Sequence, residues 1–311
     1  MRYITNHINE KSEYKYTICT ACYNSSLTIN KVYESINKIL SLDFEWIIID
    51  DFSTDDTLNL LKNIAKTAKF NIKVYSLSSN NMVTYCYNLG VKKAKGDFFI
   101  LLDHDDEIKL DAFDRFEYYW NIYGRDDIVG IMSNCMDSNN KLVGTPFPSS
   151  PMITGFFEMI FDHKVRHEKF FCYRAEIMKM YNFPLIDRYV PESTVMWNIS
   201  ADYKTIFINE SLRVYNLPEK GGNNLSLMNV YKYSLGFRYK YLQLLNNHSG
   251  KFSSRPYIYM SFIYNYAKMS VISKKSILES CSSMNSISTK LFVALIYPIA
   301  KLKVIFSYEW K

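Results

Sequence analysis

Residues 97–107 read Asp-Phe-Phe-Ile-Leu-Leu-Asp-His-Asp-Asp-Glu, an apolar run that ends in four carboxylates within five positions. The apolar part, residues 98–102, predicts a strand that is buried on both faces of a sheet. Carboxylates this close raise one another's pKa unless a cation offsets their charge. The stretch therefore predicts a buried strand that leads into a divalent-cation site. The alternative is an acidic loop that caps the next helix.

The residues before this strand alternate between strand and helix patterns. Strands are predicted at 16–21, 45–50 and 71–77, and helices at 27–40, from 57 to 68 and at 83–93. This alternation predicts βαβ units and an α/β fold with a mostly parallel central sheet flanked by helices. Ligands of such sheets bind beyond the carboxyl ends of the strands. That rule predicts a site built from residues 21–24, 50–53 and 103–107.

The pattern becomes looser after residue 107, and the charge balance changes further on. A helix is predicted at 110–123, strands at 128–134, 169–173 and 204–208, and mostly helix from 225 onward. Residues 225–311 contain twelve basic and two acidic residues, a net charge of +10, whereas residues 1–224 contain 25 basic and 29 acidic residues. These changes predict a lead-in at 1–13, an α/β domain at 14–224 and a basic helical C-terminal extension at 225–311.

Composition excludes several classes of protein. The 26 Tyr and 20 Phe supply too much buriable surface for a disordered chain, and six sparse Cys do not form a disulfide scaffold. No uncharged apolar run reaches about 18 residues, and residues 1–7 lack the apolar stretch of a secretory signal. The expectation is a reduced, cytoplasmic protein.

Five motifs occur in an order that resembles family 2 glycosyltransferases with the GT-A fold, over roughly residues 14–224. The motifs are Tyr23-Asn24, Ile49-Asp50-Asp51-Phe52-Ser53, Asn88-Leu89-Gly90, Ala94-Lys95-Gly96-Asp97 and Leu102-Asp103-His104-Asp105-Asp106. Downstream, Tyr189-Val190-Pro191-Glu192-Ser193 resembles the acceptor-side half of bacterial members that build polysaccharides and O-antigens.

The resemblance implies a role for individual residues. It assigns nucleotide contacts to Ala21, Tyr23, Asp51 and Asp103, of which Asp51 would contact the base. Asp105, together with Asp103, would bind Mn²⁺ or Mg²⁺. Glu192 lies where the family places the general base that deprotonates an acceptor hydroxyl. One departure is Tyr87, which stands where the family often has Arg.

The implied activity is inverting transfer of a sugar from a nucleotide-diphosphate donor, with a UDP-sugar favoured. The acceptor would be a hydroxyl of a glycan or of a polyprenyl-diphosphate-linked glycan, in bacterial surface polysaccharide synthesis. The alternative is a non-catalytic module that binds a nucleotide sugar or a divalent cation on the same fold. ATP or NAD chemistry has no support, because neither a Walker loop nor a Gly-x-Gly-x-x-Gly motif is present.

Three remaining features have more than one interpretation. Cys19 and Cys22 have redox or zinc spacing but lack a second pair, which favours packed thiols. His163 and His167 have the spacing of a metal pair on a helix, although a polar surface is the favoured interpretation. In the extension, apolar stretches at 257–272 and 291–306 would either lie at the inner face of the cell membrane or pack on the catalytic domain. No nucleic-acid partner is expected.

Overall fold

The computed structural model describes residues 1–6, 8, 10–39, 43–216 and 230–308. Two compact units are present: the first comprises Met1–Asn182 with Asp202–Gly221, and the second comprises Phe183–Ala201 with Gly222–Lys311. The predicted boundary between residues 224 and 225 and the last residue of the predicted helix at 27–40 lie outside the described residues. The three-part division of the chain stays a prediction.

The first unit contains the strands and the flanking helices. Its strands are β1 Arg2–Thr5, β2 Tyr14–Cys22, β3 Phe44–Asp50, β4 Asn71–Ser76, β5 Gly96–Leu101, β6 Glu107–Ile108, β7 Ile128–Met136, β8 Leu142–Val143, β9 Met152–Thr154, β10 Lys169–Arg174 and β11 Lys204–Val214. Its helices are α1 Ile29–Asn37, α2 Thr57–Thr67, α3 Val83–Lys93, α4 Ala112–Tyr123, α5 Phe156–Phe161 and α6 Ala175–Met180. The strands and helices predicted from residue 16 to 134, and the strands at 169–173 and 204–208, are confirmed with small shifts at their ends.

One sheet contains all the described strands, in the order β1-β4-β3-β2-β5-β10-β7-β11-β6, with β8 on β7 and β9 on β11. The block β4-β3-β2-β5 is parallel, as predicted. Beyond it, β10 runs antiparallel to both of its neighbours, and β1 adds an antiparallel edge to β4. The sheet as a whole is therefore mixed rather than mostly parallel, because an apolar strand pattern does not specify strand direction.

The strands of the parallel block are rich in apolar residues and are buried on both faces of the sheet. Every residue of β3, Phe-Glu-Trp-Ile-Ile-Ile-Asp, is buried. Helix α1 covers one face with Ile29, Val32 and Ile36, which lie three to four residues apart. Helix α3 approaches β2 so closely that a Cβ on Gly90 would lie 2.2 Å from the sulfur of Cys19. The helix can approach this closely only because residue 90 lacks a side chain.

A buried ion pair lies at the amino-terminal end of the same block. Glu45 accepts hydrogen bonds from the ammonium of Lys73 at 2.6 Å, from the hydroxyl of Thr17 at 2.8 Å and from the amide of Lys95 at 2.6 Å. Because these donors occupy both carboxylate oxygens, the buried charge of Glu45 is compensated. The network joins β2, β3, β4 and the start of β5.

The second unit is helical. Its elements are α7 Ser193–Asp202, whose last residue belongs to the first unit, α8 Ser234–Asn247, a short 3-10 helix Ser249–Phe252, α9 Pro256–Ile272, α10 Ile277–Ser282 and α11 Ile287–Tyr308. The predicted helical character of the chain after residue 225 is confirmed for its described part. Arg238 of α8 donates to Tyr266 at 2.6 Å and Ser270 at 3.0 Å, both of α9. His248 contacts the carbonyl of Trp197 at 2.8 Å and so fixes α7 to the end of α8.

The two apolar stretches of the extension have different surroundings. In α9, Phe262, Ile263, Tyr266, Ala267 and Met269 are buried, so this stretch is core of the second unit. In α11 many large apolar side chains are exposed. Within the part of the chain that the structure describes, no helix combines the length and apolarity needed to cross a bilayer.

Candidate active site

The carboxyl ends of three parallel strands lie side by side at one edge of the sheet. In the register, Cys22 of β2 pairs with Asp50 of β3, and Cys19 of β2 pairs with Leu101 of β5. The amide of Asp51 donates to the carbonyl of Cys22 at 2.8 Å, which extends the β2–β3 pairing past the strands. The three predicted segments, 21–24, 50–53 and 103–107, therefore follow neighbouring strands and lie at the same edge.

Asp51 joins the end of β3 to the start of α3. It is buried, and its two carboxylate oxygens accept hydrogen bonds from the amides of Asn81 at 2.7 Å and Met82 at 2.8 Å. Met82 has a positive φ of 69°, an uncommon backbone conformation for a residue other than glycine. Asp51 thus positions the loop that precedes α3, and its predicted contact with a nucleobase stays a prediction.

The loops after β2 and β3 are joined by polar side chains. Asn24, with φ of 52°, accepts a hydrogen bond from the amide of Thr54 at 2.8 Å. Asp55 accepts from the amide of Ser26 at 3.1 Å and from the amide and hydroxyl of Thr57 at 3.0 and 2.6 Å. Burial acts against ionisation of Asp55, but the hydrogen bonds from Thr57 and Ser26 outweigh it and lower its pKa to about 2. Tyr23 lies on the first of these loops and is exposed.

Asp103 lies two residues beyond the end of β5 and contacts two side chains from other parts of the chain. Its carboxylate accepts a hydrogen bond from the hydroxyl of Tyr87 at 3.3 Å and from Nη1 of Arg213 at 3.4 Å. The side chain remains 38% exposed, so a ligand can still reach it. Tyr87, the departure from the family pattern noted above, is thus a partner of the carboxylate that the resemblance assigns to the nucleotide or metal.

Arg213 of β11 is the centre of the acidic cluster and was missed by the sequence analysis. Its side chain is only 5% exposed, and its Nε lies 3.0 Å from a carboxylate oxygen of Asp106, which is fully buried. This contact is an ion pair whose angle is outside the range of a hydrogen bond. Nη2 of Arg213 also lies 3.4 Å from Glu168. One guanidinium therefore contacts three carboxylates, those of Asp103, Asp106 and Glu168.

The electrostatics of the cluster fit a bound cation. Burial raises the pKa of Asp105; the charge of His104 opposes the shift and that of Asp103 adds to it. Burial likewise raises the pKa of Asp106, against the opposing charge of Arg213. Among the described residues, no group of three His, Cys, Asp or Glu side chains could hold a metal ion. Asp103 and Asp105 still fit a Mg²⁺ or Mn²⁺ site, because such ions are commonly bound by one or two carboxylates with substrate phosphates and water.

Two other groups of candidate residues differ in outcome. His163 and His167 follow α5 in a segment without helical structure, so the idea of a metal pair on one helix is wrong. The segment is not helical because α5 ends at Phe161 and His167 has a positive φ of 70° that no α-helix allows. Both histidines are exposed, in agreement with the favoured interpretation of a polar surface. Cys19 and Cys22 are buried free thiols, and the interpretation as packed side chains is confirmed.

Glu192, the predicted general base, belongs to the second unit. It directly precedes α7 and is half-buried, and its carbonyl accepts the amide of Val195 at 3.0 Å. Burial lowers the pKa of Lys240 on α8, and the negative charge of Glu192 opposes that shift. The carboxylate therefore lies within electrostatic range of a lysine. Its catalytic role stays a prediction.

Comparison with known proteins gives the family. The family model described as glycosyl transferase family 2 matches residues 17–181. An uncharacterized glycosyltransferase of Nostoc sp. is 23% identical over 222 residues, which are 68% of this chain and 66% of the relative. A GalNAc(5)-diNAcBac-PP-undecaprenol beta-1,3-glucosyltransferase of Campylobacter jejuni is 23% identical over 72% of each chain. The first three relatives are matched over only 66%, 13% and 39% of their own lengths.

Solved structures show the fold. TarS residues 1–349 of S. aureus in complex with UDP-GlcNAc superimposes with a TM-score of 0.64 at 16% identity, covering 94% of this chain and 92% of that one. The mannosyltransferase PcManGT of Pyrobaculum calidifontis, in complex with GDP-Man and Mn²⁺, gives a TM-score of 0.54 at 13% identity over 94% of this chain and 83% of that one. The chain has the GT-A fold, with a helical C-terminal part, as expected from the sequence.

Proposed function

Because the chain belongs to glycosyl transferase family 2, we propose that it is an inverting glycosyltransferase that uses a UDP-sugar donor and a divalent cation. The observation that carries this proposal is the convergence of Asp51, Asp103 and Asp105 at the carboxyl edge of the parallel strands. Ligands of open α/β sheets bind at this edge. The choice of UDP is supported by the UDP-GlcNAc in the TarS complex.

In the proposed reaction an acceptor hydroxyl attacks the anomeric carbon of the donor sugar. A new glycosidic C–O bond forms, the bond between the anomeric carbon and the diphosphate oxygen breaks, and UDP leaves with the bonding electrons. Glu192 takes the proton of the hydroxyl as general base. A bound Mn²⁺ or Mg²⁺ supplies positive charge that offsets the developing charge of the diphosphate.

The described residues support donor binding in separate ways. Ala21 lies near the carboxyl end of β2 and Tyr23 on the loop after it, where they would contact the nucleotide. Asp51 holds the loop before α3 and would accept a hydrogen bond from the base, because each carboxylate oxygen has a second lone pair. Arg213 holds Asp103 in place and keeps one positive charge beside the carboxylates before a cation arrives.

We extend the proposal to the acceptor and the place of action. The Campylobacter relative is named for an undecaprenol-diphosphate-linked glycan, which supports a glycan or polyprenyl-diphosphate-linked acceptor for this chain. Such an acceptor lies in the membrane. The basic segment 225–311 would bring the enzyme to the cytoplasmic face of that membrane.

A thermal-shift screen of UDP-, GDP- and dTDP-sugars, each with and without Mn²⁺, tests the donor assignment. A ligand that binds only the folded state raises stability by about 2.7 kcal/mol at a hundredfold excess over its Kd. A Mn²⁺-dependent shift with one class of UDP-sugar is expected. A flat response to all donors would contradict the proposal.

The same screen on Glu192→Gln separates an enzyme from a non-catalytic binding module. The substitution removes the base and keeps the shape of the side chain. An enzyme loses turnover and keeps its donor-dependent shift. A binding module has no turnover to lose, even in the unsubstituted protein supplied with a lipid-linked glycan acceptor.

A further inference from the structure

Helix α11 exposes a continuous apolar surface, here called the α11 stripe. Its members are Ile287, Leu291, Leu295, Ile299, Leu302, Ile305 and Phe306, each between 44% and 76% exposed. They recur mostly every three or four residues along Ile287–Tyr308. An α-helix turns by about 100° per residue, so these side chains cover an arc of about 120° on one side of the helix.

The opposite side of α11 is packed within the second unit. Val293, Ala300 and Val304 are buried there. Tyr259 of α9 contacts the hydroxyl of Thr289 at 2.8 Å. The stripe is therefore not the face that α11 uses for folding, and folding leaves its seven side chains in contact with water.

Basic side chains lie beyond both edges of the stripe. Lys301 and Lys303 are exposed, and on the helical wheel they fall on opposite sides of the apolar arc. Lys303 extends over the ring of Tyr264, with its nitrogen 5.3 Å from the ring centroid. An apolar stripe between cationic edges is typical of a helix that lies in the plane of a membrane interface.

The positive charge of the helices around the α11 stripe favours an anionic surface as its binding partner. Residues 230–308 contain eleven Lys and Arg and one acidic residue, Glu279. Glu279 is already paired with Lys275 at 3.1 Å and caps α10 through Ser276. A second copy of the chain would place like charges against one another, whereas anionic phospholipid would neutralise them.

We propose that the α11 stripe inserts into the interface of an anionic phospholipid bilayer, with Lys301 and Lys303 at the level of the headgroups. This inference deepens the proposed membrane contact of residues 225–311 and rests on it. It identifies α11 as the element that inserts into the membrane. It also adds the burial of apolar side chains to the electrostatic attraction between basic residues and anionic lipid. Helix α9 has no comparable surface, because Phe262, Ile263, Tyr266, Ala267 and Met269 are buried and Tyr257, at its start, is its only exposed large apolar side chain.

The test is flotation of the full chain with vesicles of phosphatidylcholine, with and without phosphatidylglycerol. The variants are Leu295→Asp and Leu302→Asp, at positions 69% and 57% exposed, so that folding is little affected. The matched control is Ile122→Asp, which places the same charge at a 53% exposed position on α4 in the first unit. Each α11 substitution is expected to lower partitioning onto phosphatidylglycerol vesicles by about tenfold or more, because a leucine no longer leaves water. Ile122→Asp is expected to leave partitioning unchanged.

Donor binding is measured on the same samples as a UDP-dependent thermal shift. Retained shifts with lost flotation support the membrane face independently of the donor site. Wild-type flotation of both α11 variants would overturn the inference, and so would failure of the unsubstituted protein to bind either type of vesicle. A dimer in solution that Leu295→Asp converts to a monomer would also overturn it, because the stripe would then be an interface between copies.

Discussion

Replacing Arg213 by Met is predicted to destabilise the protein by about 3–5 kcal/mol above about pH 8, because the fully buried Asp106, whose pKa burial raises to about 8, is then ionised and has lost its cation. The Arg213 side chain is 5% exposed, and its guanidinium also lies over the rings of Phe170 and Tyr215, at 5.8 and 5.4 Å from their centroids. Water therefore cannot replace the lost ion pair. Urea unfolding monitored by tryptophan fluorescence, with a constant m-value, measures the change.

Arg115→Met is the matched control. Arg115 binds Glu210 through two hydrogen bonds of 2.6 Å, but the two side chains are 33% and 30% exposed. Solvent screening limits the cost of its loss to about 1 kcal/mol. Adding Asp106→Asn to Arg213→Met should recover part of the stability, because no unpaired charge remains. The reasoning is refuted if Arg213→Met costs no more than Arg115→Met, or if the double substitution is less stable than Arg213→Met alone.

Two further predictions concern the loops and the sheet. The pKa of Asp55 is lowered from 3.8 to about 2 in the folded state. The stabilising contribution of Asp55 is therefore complete above pH 3.8 and is lost as the pH falls toward 2. Acid unfolding curves of wild type and Asp55→Asn should converge in that window. Curves that keep a constant separation down to pH 2 would contradict this assignment. Gly90→Ala should lower the free energy of unfolding in urea by about 1–3 kcal/mol, because its Cβ would lie 2.2 Å from the sulfur of Cys19. Adding Cys19→Ala should recover most of that loss. An unchanged unfolding midpoint in Gly90→Ala would show that α3 does not approach β2 as closely as the structure has it.

The local sequence pattern was sufficient to predict the strands of the parallel block β4-β3-β2-β5 and the helices between them. The helix predicted at 83–93 is α3 Val83–Lys93, because its apolar positions repeat with a helical period and Lys95-Gly96 follows its end. The direction of β10 was not predictable, since Lys169–Arg174 would show the same apolar pattern in either direction. Strand β1 was treated as a lead-in because four residues at a sheet edge carry little periodic signal.

The site residues that could be predicted from the sequence are those next to the strand ends. Asp51, Asp103 and Asp105 were found because a charge directly after an apolar strand is visible in one stretch of sequence. Arg213 lies 110 residues beyond Asp103, within the strand β11, and only the pairing of that strand with β6 and β7 brings the two together. The available signal was an arginine between two apolar residues, Leu212 and Val214, near the end of a strand, because a charge that is buried at such a position requires partners.

Titration calorimetry of UDP in the presence of Mn²⁺ tests most directly whether the strand-end carboxylates form the donor site. The comparison is between wild type, Asp105→Asn and the control Asp111→Asn, which removes an exposed carboxylate just before α4. Loss of a metal ligand should weaken Mn²⁺-dependent UDP binding by about tenfold or more, or about 1.4 kcal/mol, in Asp105→Asn only. An unchanged Kd in Asp105→Asn, or UDP binding that is indifferent to Mn²⁺ in wild type, would contradict this account of the site.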